Sequence, residues 1–146
     1  MLVPRIRILI ATLWVGSLWT VGYLVAPTLF ATLADKVLAG TIAGSMFRIE
    51  AWLTVFCALV LVVLLLRSNR DQAHRTLLIL TGTMLACTLI GYFGLQPFMA
   101  SLRATAGVTG VMTQDAKMQF GILHGVASVI YLLESLLGVA LVLKIR

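Results

Sequence analysis

Four ionisable side chains stand inside or at the edge of long apolar runs: Arg48, Glu50, His124 and Glu134. A charge surrounded by lipid is costly, so such groups are candidates for function ahead of any others. Arg48 and Glu50 are two residues apart; on a helix they point in different directions and are not natural partners. Glu50 and His124 are expected at similar depth, and Gln96, Arg103 and Lys117 stand in the adjoining polar stretch. The expectation is a polar cluster of Arg48, Glu50, His124, Gln96 and Arg103 in the outer leaflet. Such a cluster could take a small ligand, a proton or a metal. Equally, it could be a buried ion-pair network that holds helices in register.

Glu134 lies deeper, about 13 Å from the inner end of its run at 1.5 Å per residue. It calls for a proton or for hydrogen-bonding partners, with Thr81, Thr83 and Ser17 as candidates. A bonded structural carboxyl is the plainer reading and a proton relay the sharper one. His124 and Glu134 are about 15 Å apart along the axis and do not share a proton directly.

Metal chemistry has weaker support. Met46, Met99, Met112 and Met118 map near His124, and thioethers with imidazole suit Cu(I). No MxxM or HxxM spacing occurs, and methionine is a common gap filler. Cys57 and Cys87 each sit inside an apolar run and no CxxC is present, so both read as small packing residues. No metal ligand set is assigned and no cofactor is named by the sequence. There is no Walker loop, HExxH or GxSxG, and no nucleophile–base pair, so an enzyme is the least supported class.

The elements that must hold these groups follow from hydropathy. Of the 146 residues, 61% are hydrophobic and 11% charged, with a mean hydropathy of +1.08. Soluble domains carry about 25% charged residues, so lipid must solvate much of this surface. The net charge of +6 falls at the ends of apolar runs, which points to membrane topology and away from nucleic acid. The fold expected is an all-α, integral-membrane four-helix bundle in one domain, 1–146. Its helices cover approximately 6–33, 47–66, 76–96 and 120–143, the second with an alternative start near Val37, and with Pro27 and Pro97 kinking or ending theirs. A short interfacial helix or loop is expected over 98–119, which keeps Phe98, Met99, Leu102, Val108 and Met112. Trp14 and Trp19 lie too deep for an interfacial belt and should pack between helices.

Arg5, Arg7, Arg67, Arg70, Arg75, Lys144 and Arg146 gather on one side, against Lys36, Arg48, Arg103 and Lys117 on the other. The positive-inside rule makes the richer side cytoplasmic, with both termini there, in a multi-pass protein of a bacterial inner membrane. Gly40 and Gly44 before helix 2, and Gly121 and Gly125 in helix 4, form GxxxG patterns suited to close helix packing, within the chain, against a second copy or against a membrane-protein partner.

Several short motifs, in order, carry a family resemblance: Trp14-Val15-Gly16 to Pro27, Ala39 through Phe47, Gln96-Pro97 with Arg103, and Phe120 with Leu123-His124-Gly125. Together they resemble the TMEM205-like family of small bacterial membrane proteins, a domain of unknown function. Tyr131 stands where that pattern leads one to expect Asn. The resemblance implies a four-helix membrane protein without an assigned activity. More distantly, the architecture is similar to copper-resistance membrane proteins and to a four-helix haem-pathway oxidase; the latter uses a histidine in helix 1, which this chain lacks. The leading functional expectation is a non-enzymatic accessory or interaction protein. The alternative is a small-ligand, proton or metal handler (copper- or haem-related) that uses the outer-leaflet cluster.

Overall fold

Each long apolar run becomes one continuous helix. The computed structural model describes residues 2–67, 72–106 and 110–145; Arg70, Val108 and Arg146 lie outside the described residues. The helices are α1 (Leu2–Thr32), α2 (Lys36–Leu66), α3 (His74–Ala104) and α4 (Gln114–Lys144), each of 31 residues and apolar enough to cross a membrane. No strand is present among the described residues. Neighbours in sequence pack antiparallel and α4 returns to α1, which closes a ring of four. Large apolar side chains such as Leu9, Leu13, Trp52, Phe56, Ile79 and Leu136 point outward, an arrangement that suits lipid and not water.

The helices are longer than hydropathy marked them, because polar caps extend them. α2 starts at Lys36, next to the earlier of its two expected starts, because the Asp35 carboxylate accepts from the Val37 and Leu38 amides at 2.9 and 3.1 Å. That capping satisfies amides at the helix end that would otherwise lack partners. α4 begins at Gln114 because the Thr113 hydroxyl accepts from the Ala116 amide. The stretch expected to be interfacial therefore divides. Its first part is a short helix, Gln96–Ala104, joined to α3, and its last residues open α4.

Neither Pro27 nor Pro97 stops its helix. Each follows a π-helical turn, Thr20–Val25 in α1 and Leu89–Gly94 in α3. A proline ring ordinarily collides with the carbonyl four residues back. The wider turn moves the local bonds to five residues back: Ala26 N–H to the Val21 carbonyl, and Leu95 N–H to the Ile90 carbonyl at 3.0 Å. Room for the ring results, and the helix continues.

The half of the bundle nearest the termini is closely packed. Ala11, Trp14, Cys57, Leu61, Met84 and Leu141 interlock there, all essentially buried. Trp14 is wholly enclosed, whereas Trp19 is partly exposed at 43%. Gly138 is the close-approach point of α4 on α1: a Cβ there would lie 3.0 Å from Val15 Cγ2 and 3.3 Å from Met84 Cε. Apolar burial drives little association in lipid, so such contact distances are what hold the helices together.

Candidate functional site

Beyond this packed half the helices part. α1 past Trp19 packs its backbone on α2 and reaches α4 through side chains, while the far end of α3 stays on α4. The bundle thus opens into two hairpins, with a cavity of about 550 Å3 between them, a size typical of small-molecule sites. Its buried floor holds Glu50, Thr54, Thr88 and Glu134. Its rim holds Arg103, Gln96 and His124 at the far end, and Tyr23, Ser128 and Leu132 along the gap between α1 and α4.

Both carboxyls are deeply placed. Glu50 is 5% exposed and Glu134 3%. Glu50 comes fourteen residues after the start of α2, about 21 Å along it, so it lies mid-helix near Glu134 instead of beside His124. Ser17 Oγ donates to Glu50 Oε1 at 3.1 Å, and Thr88 Oγ1 donates to Glu134 Oε1 at 2.7 Å. Glu134 is therefore served by Thr88, and not by Thr81, Thr83 or Ser17. The second oxygen of each carboxyl receives no hydrogen bond among the described residues and is not sealed off from the cavity. Among the described residues, the side-chain hydrogen bonds to the two carboxyls come from Ser17 and Thr88 and none comes from Lys or Arg. Beneath Glu50, Trp14 Nε1 donates to Thr54 Oγ1 at 2.8 Å, which ties the floor to the packed half.

Of the expected cluster, Glu50, Gln96, Arg103 and His124 all line this one cavity, with Glu50 at its floor and the other three at its rim. Arg48 is exposed and does not line the cavity, because one face of α2 cannot carry both it and Glu50. Arg103 and His124 are joined through an aromatic ring: the Arg103 guanidinium lies 4.8 Å over Phe120, which stacks on His124 at 6.0 Å. Lys117 is exposed. Of the four methionines weighed for copper, Met99 lines the cavity. Gly44 borders it as well, and Gly40 lies 3.8 Å (as a built Cβ) from the Phe30 ring; Gly121 and Gly125 face outward with nothing within 4 Å.

The gap between α1 and α4 is bridged by aromatic side chains. Tyr131 Oη donates to the Leu18 carbonyl at 2.6 Å, Tyr23 Oη to Ser135 Oγ at 2.9 Å, and Trp19 Nε1 to the Ser135 carbonyl at 3.3 Å. Tyr131 also meets Tyr23 and Phe47 edge-on, with ring centroids 6.1 and 5.5 Å apart. The two π turns make space for this bridge. A Cβ on Gly22 would fall on the Tyr131 ring, and one on Gly91 would lie 3.3 Å from Ile130 Cγ2. Residues 130 and 131 of α4 are thus wedged between the wide turns of α1 and α3. This feature had a sequence signal: Gly22-Tyr23 ahead of Pro27 is repeated as Gly91-Tyr92 ahead of Pro97. Tyr23 and Tyr92 as site residues follow from that repeat, whereas Thr88 and Tyr131 depend on how the helices are staggered.

Fold and cavity together define a polytopic membrane protein of four helices with an acidic, aromatic-lined chamber in one half. The chain belongs to the family DUF4149, a domain of unknown function, whose profile matches residues 9–107. No curated protein and no solved structure matched it.

Proposed function

We propose that this protein handles a small molecule in the chamber between its two hairpins, as a non-enzymatic binding or transfer protein of the membrane. One observation carries the reading: the two deeply buried carboxyls, on different helices, border a single cavity, and among the described residues no Lys or Arg is hydrogen-bonded to either. Carboxyls kept only for packing are expected to be fully hydrogen-bonded, because an unsatisfied polar group in lipid costs several kcal/mol (about 2–7). The π turns support the same reading, since such turns often mark functional sites. Extraction in mild detergent followed by native mass spectrometry tests it. A co-purifying small molecule that is lost in Ala127→Trp, which fills the chamber, is the expected result; wild-type protein that neither carries nor takes up any small molecule counts against it.

A partner-binding role is the second reading. Gly121 and Gly125 present an outward, uncovered small-residue face on α4, the kind of surface on which a second copy or another membrane helix packs. Gly125→Leu should abolish any dimer seen by cross-linking while leaving the chamber intact.

For orientation, the described charges Arg5, Arg7, Arg67, Arg75 and Lys144 at the termini end support an inside position for that end. Together with the resemblance of the motif order to TMEM205-like proteins, this favours a bacterial inner membrane with cytoplasmic termini. Impermeant thiol labelling of single cysteines at 67 and 105, in a background lacking Cys57 and Cys87, should modify position 105 alone in intact cells.

A further inference from the structure

We infer that the chamber's ligand is a lipophilic organic cation, a protonated amine or quaternary onium group on an apolar body, with its charge set between Glu50 and Glu134. The inference rests on the ligand-handling reading and names its substrate class. Three observations converge on it. First, the free oxygens of two carboxyls share the floor, and no Lys or Arg among the described residues reaches them. A positive charge is what this floor lacks, and an anion would be repelled by it. Second, the walls above the floor are aromatic: Tyr23, Phe47, Tyr92 and Tyr131 line the space, and ring faces attract organic cations most strongly where water is excluded. Third, the gap between α1 and α4 is rimmed by Tyr23, Ser128 and Leu132 and gives onto the lipid-facing side of the bundle. A molecule reaching the chamber that way must be soluble in the bilayer. Arg103 and His124 do not oppose this, because they stand at the far rim, with Arg103 engaged on Phe120.

Charge balance sets a proton dependence. Around the carboxyls stand Ser17 from α1, Thr54 from α2, Cys87 and Thr88 from α3 and Tyr131 from α4. With no cation in this shell, protons and the ligand cation compete for the same two carboxyls, and acid weakens binding.

The test uses three probes of related shape on the purified protein in detergent: tetraphenylphosphonium, tetraphenylborate, which has the opposite charge, and neutral triphenylphosphine oxide. The phosphonium should raise the melting temperature saturably, bind less tightly as pH falls, and lose about tenfold or more in affinity in Glu50→Gln and in Glu134→Gln. Both variants are isosteric and keep an acceptor for Ser17 or Thr88; should either fail to fold, the comparison of probes on the wild-type chain decides alone. If borate or phosphine oxide stabilises the protein as well as the phosphonium does, the cation assignment is overturned while the ligand chamber stands. If none of the three has any effect, the assignment and the ligand-handling reading fall together.

Discussion

The two halves of this bundle are built from the same four helices and obey opposite rules. Near the termini, side chains interlock around Trp14, Leu61 and Met84, and α4 comes so close to α1 that a Cβ at position 138 would press on Val15 and Met84. In the other half, α1 leaves α4, two prolines sit mid-helix behind π turns, and two carboxyls face open space. In lipid, where helix association depends on contact and not on apolar burial, contact is the resource a membrane protein gives up to create a chamber. The packed half can be understood as the clamp that lets the other half stay open.

The clamp is the place to break that contrast most severely. Gly138→Leu would drive a side chain into Val15 and Met84 and should cost about 3 kcal/mol or more, the upper range for overpacking. Gly44→Leu, at a position with nothing within 4 Å, should change the melting temperature in detergent little. Equal losses at both positions would erase the distinction between the halves.

The join between the halves is tested next. Trp14→Phe removes the indole N–H that serves Thr54 and leaves a buried hydroxyl without its donor, at a cost of about 1–2 kcal/mol. Thr54→Val in the same background should add little, because the two residues act as one pair, and a double-mutant cycle in the thermal melt reads the coupling directly.

The helix count and the hydrophobic spans were legible because each run is long enough to cross lipid whatever its neighbours do. The helix ends were not, since Asp35 and Thr113 act through hydrogen bonds that hydropathy ignores. Hydropathy left the start of α2 open between Val37 and Phe47, and the later start puts Arg48 and Glu50 together at the helix end. Pro27 and Pro97 looked like stops because an ordinary α turn cannot hold them; the repeated Gly-Tyr before each proline marked the wider turn. Glu134 stood out by charge alone, but its partner Thr88 depends on how α3 and α4 are staggered, which a single sequence does not state.

A smaller effect is expected from Glu134→Leu, and it separates function from stability. Thr88 would not be orphaned, because its hydroxyl already lies 3.4 Å from the Met84 carbonyl. Replacing an unpaired buried carboxyl by a hydrocarbon should therefore leave stability within about 1 kcal/mol, or raise it. A loss of several kcal/mol in the melt would instead make Glu134 a structural post.

The finest contrast concerns the bridge across the gap. Gly22→Ala sets a methyl on the Tyr131 ring, so the ring must swing away and release its hydrogen bond to the Leu18 carbonyl. One such bond is worth about 1 kcal/mol, and part of that returns when the hydroxyl finds another partner, so the melt should hardly move. What should change is access. Cys87 lines the chamber, and with Cys57 replaced by Ala its reaction with a small membrane-permeant maleimide reports how often the bridge opens. Faster labelling in Gly22→Ala, matched by Tyr131→Ala in a chain that keeps Gly22, would make the aromatic bridge the door of the open half. If the labelling rate does not change, the bridge is packing like that around Trp14, and the two halves differ less than their geometry implies.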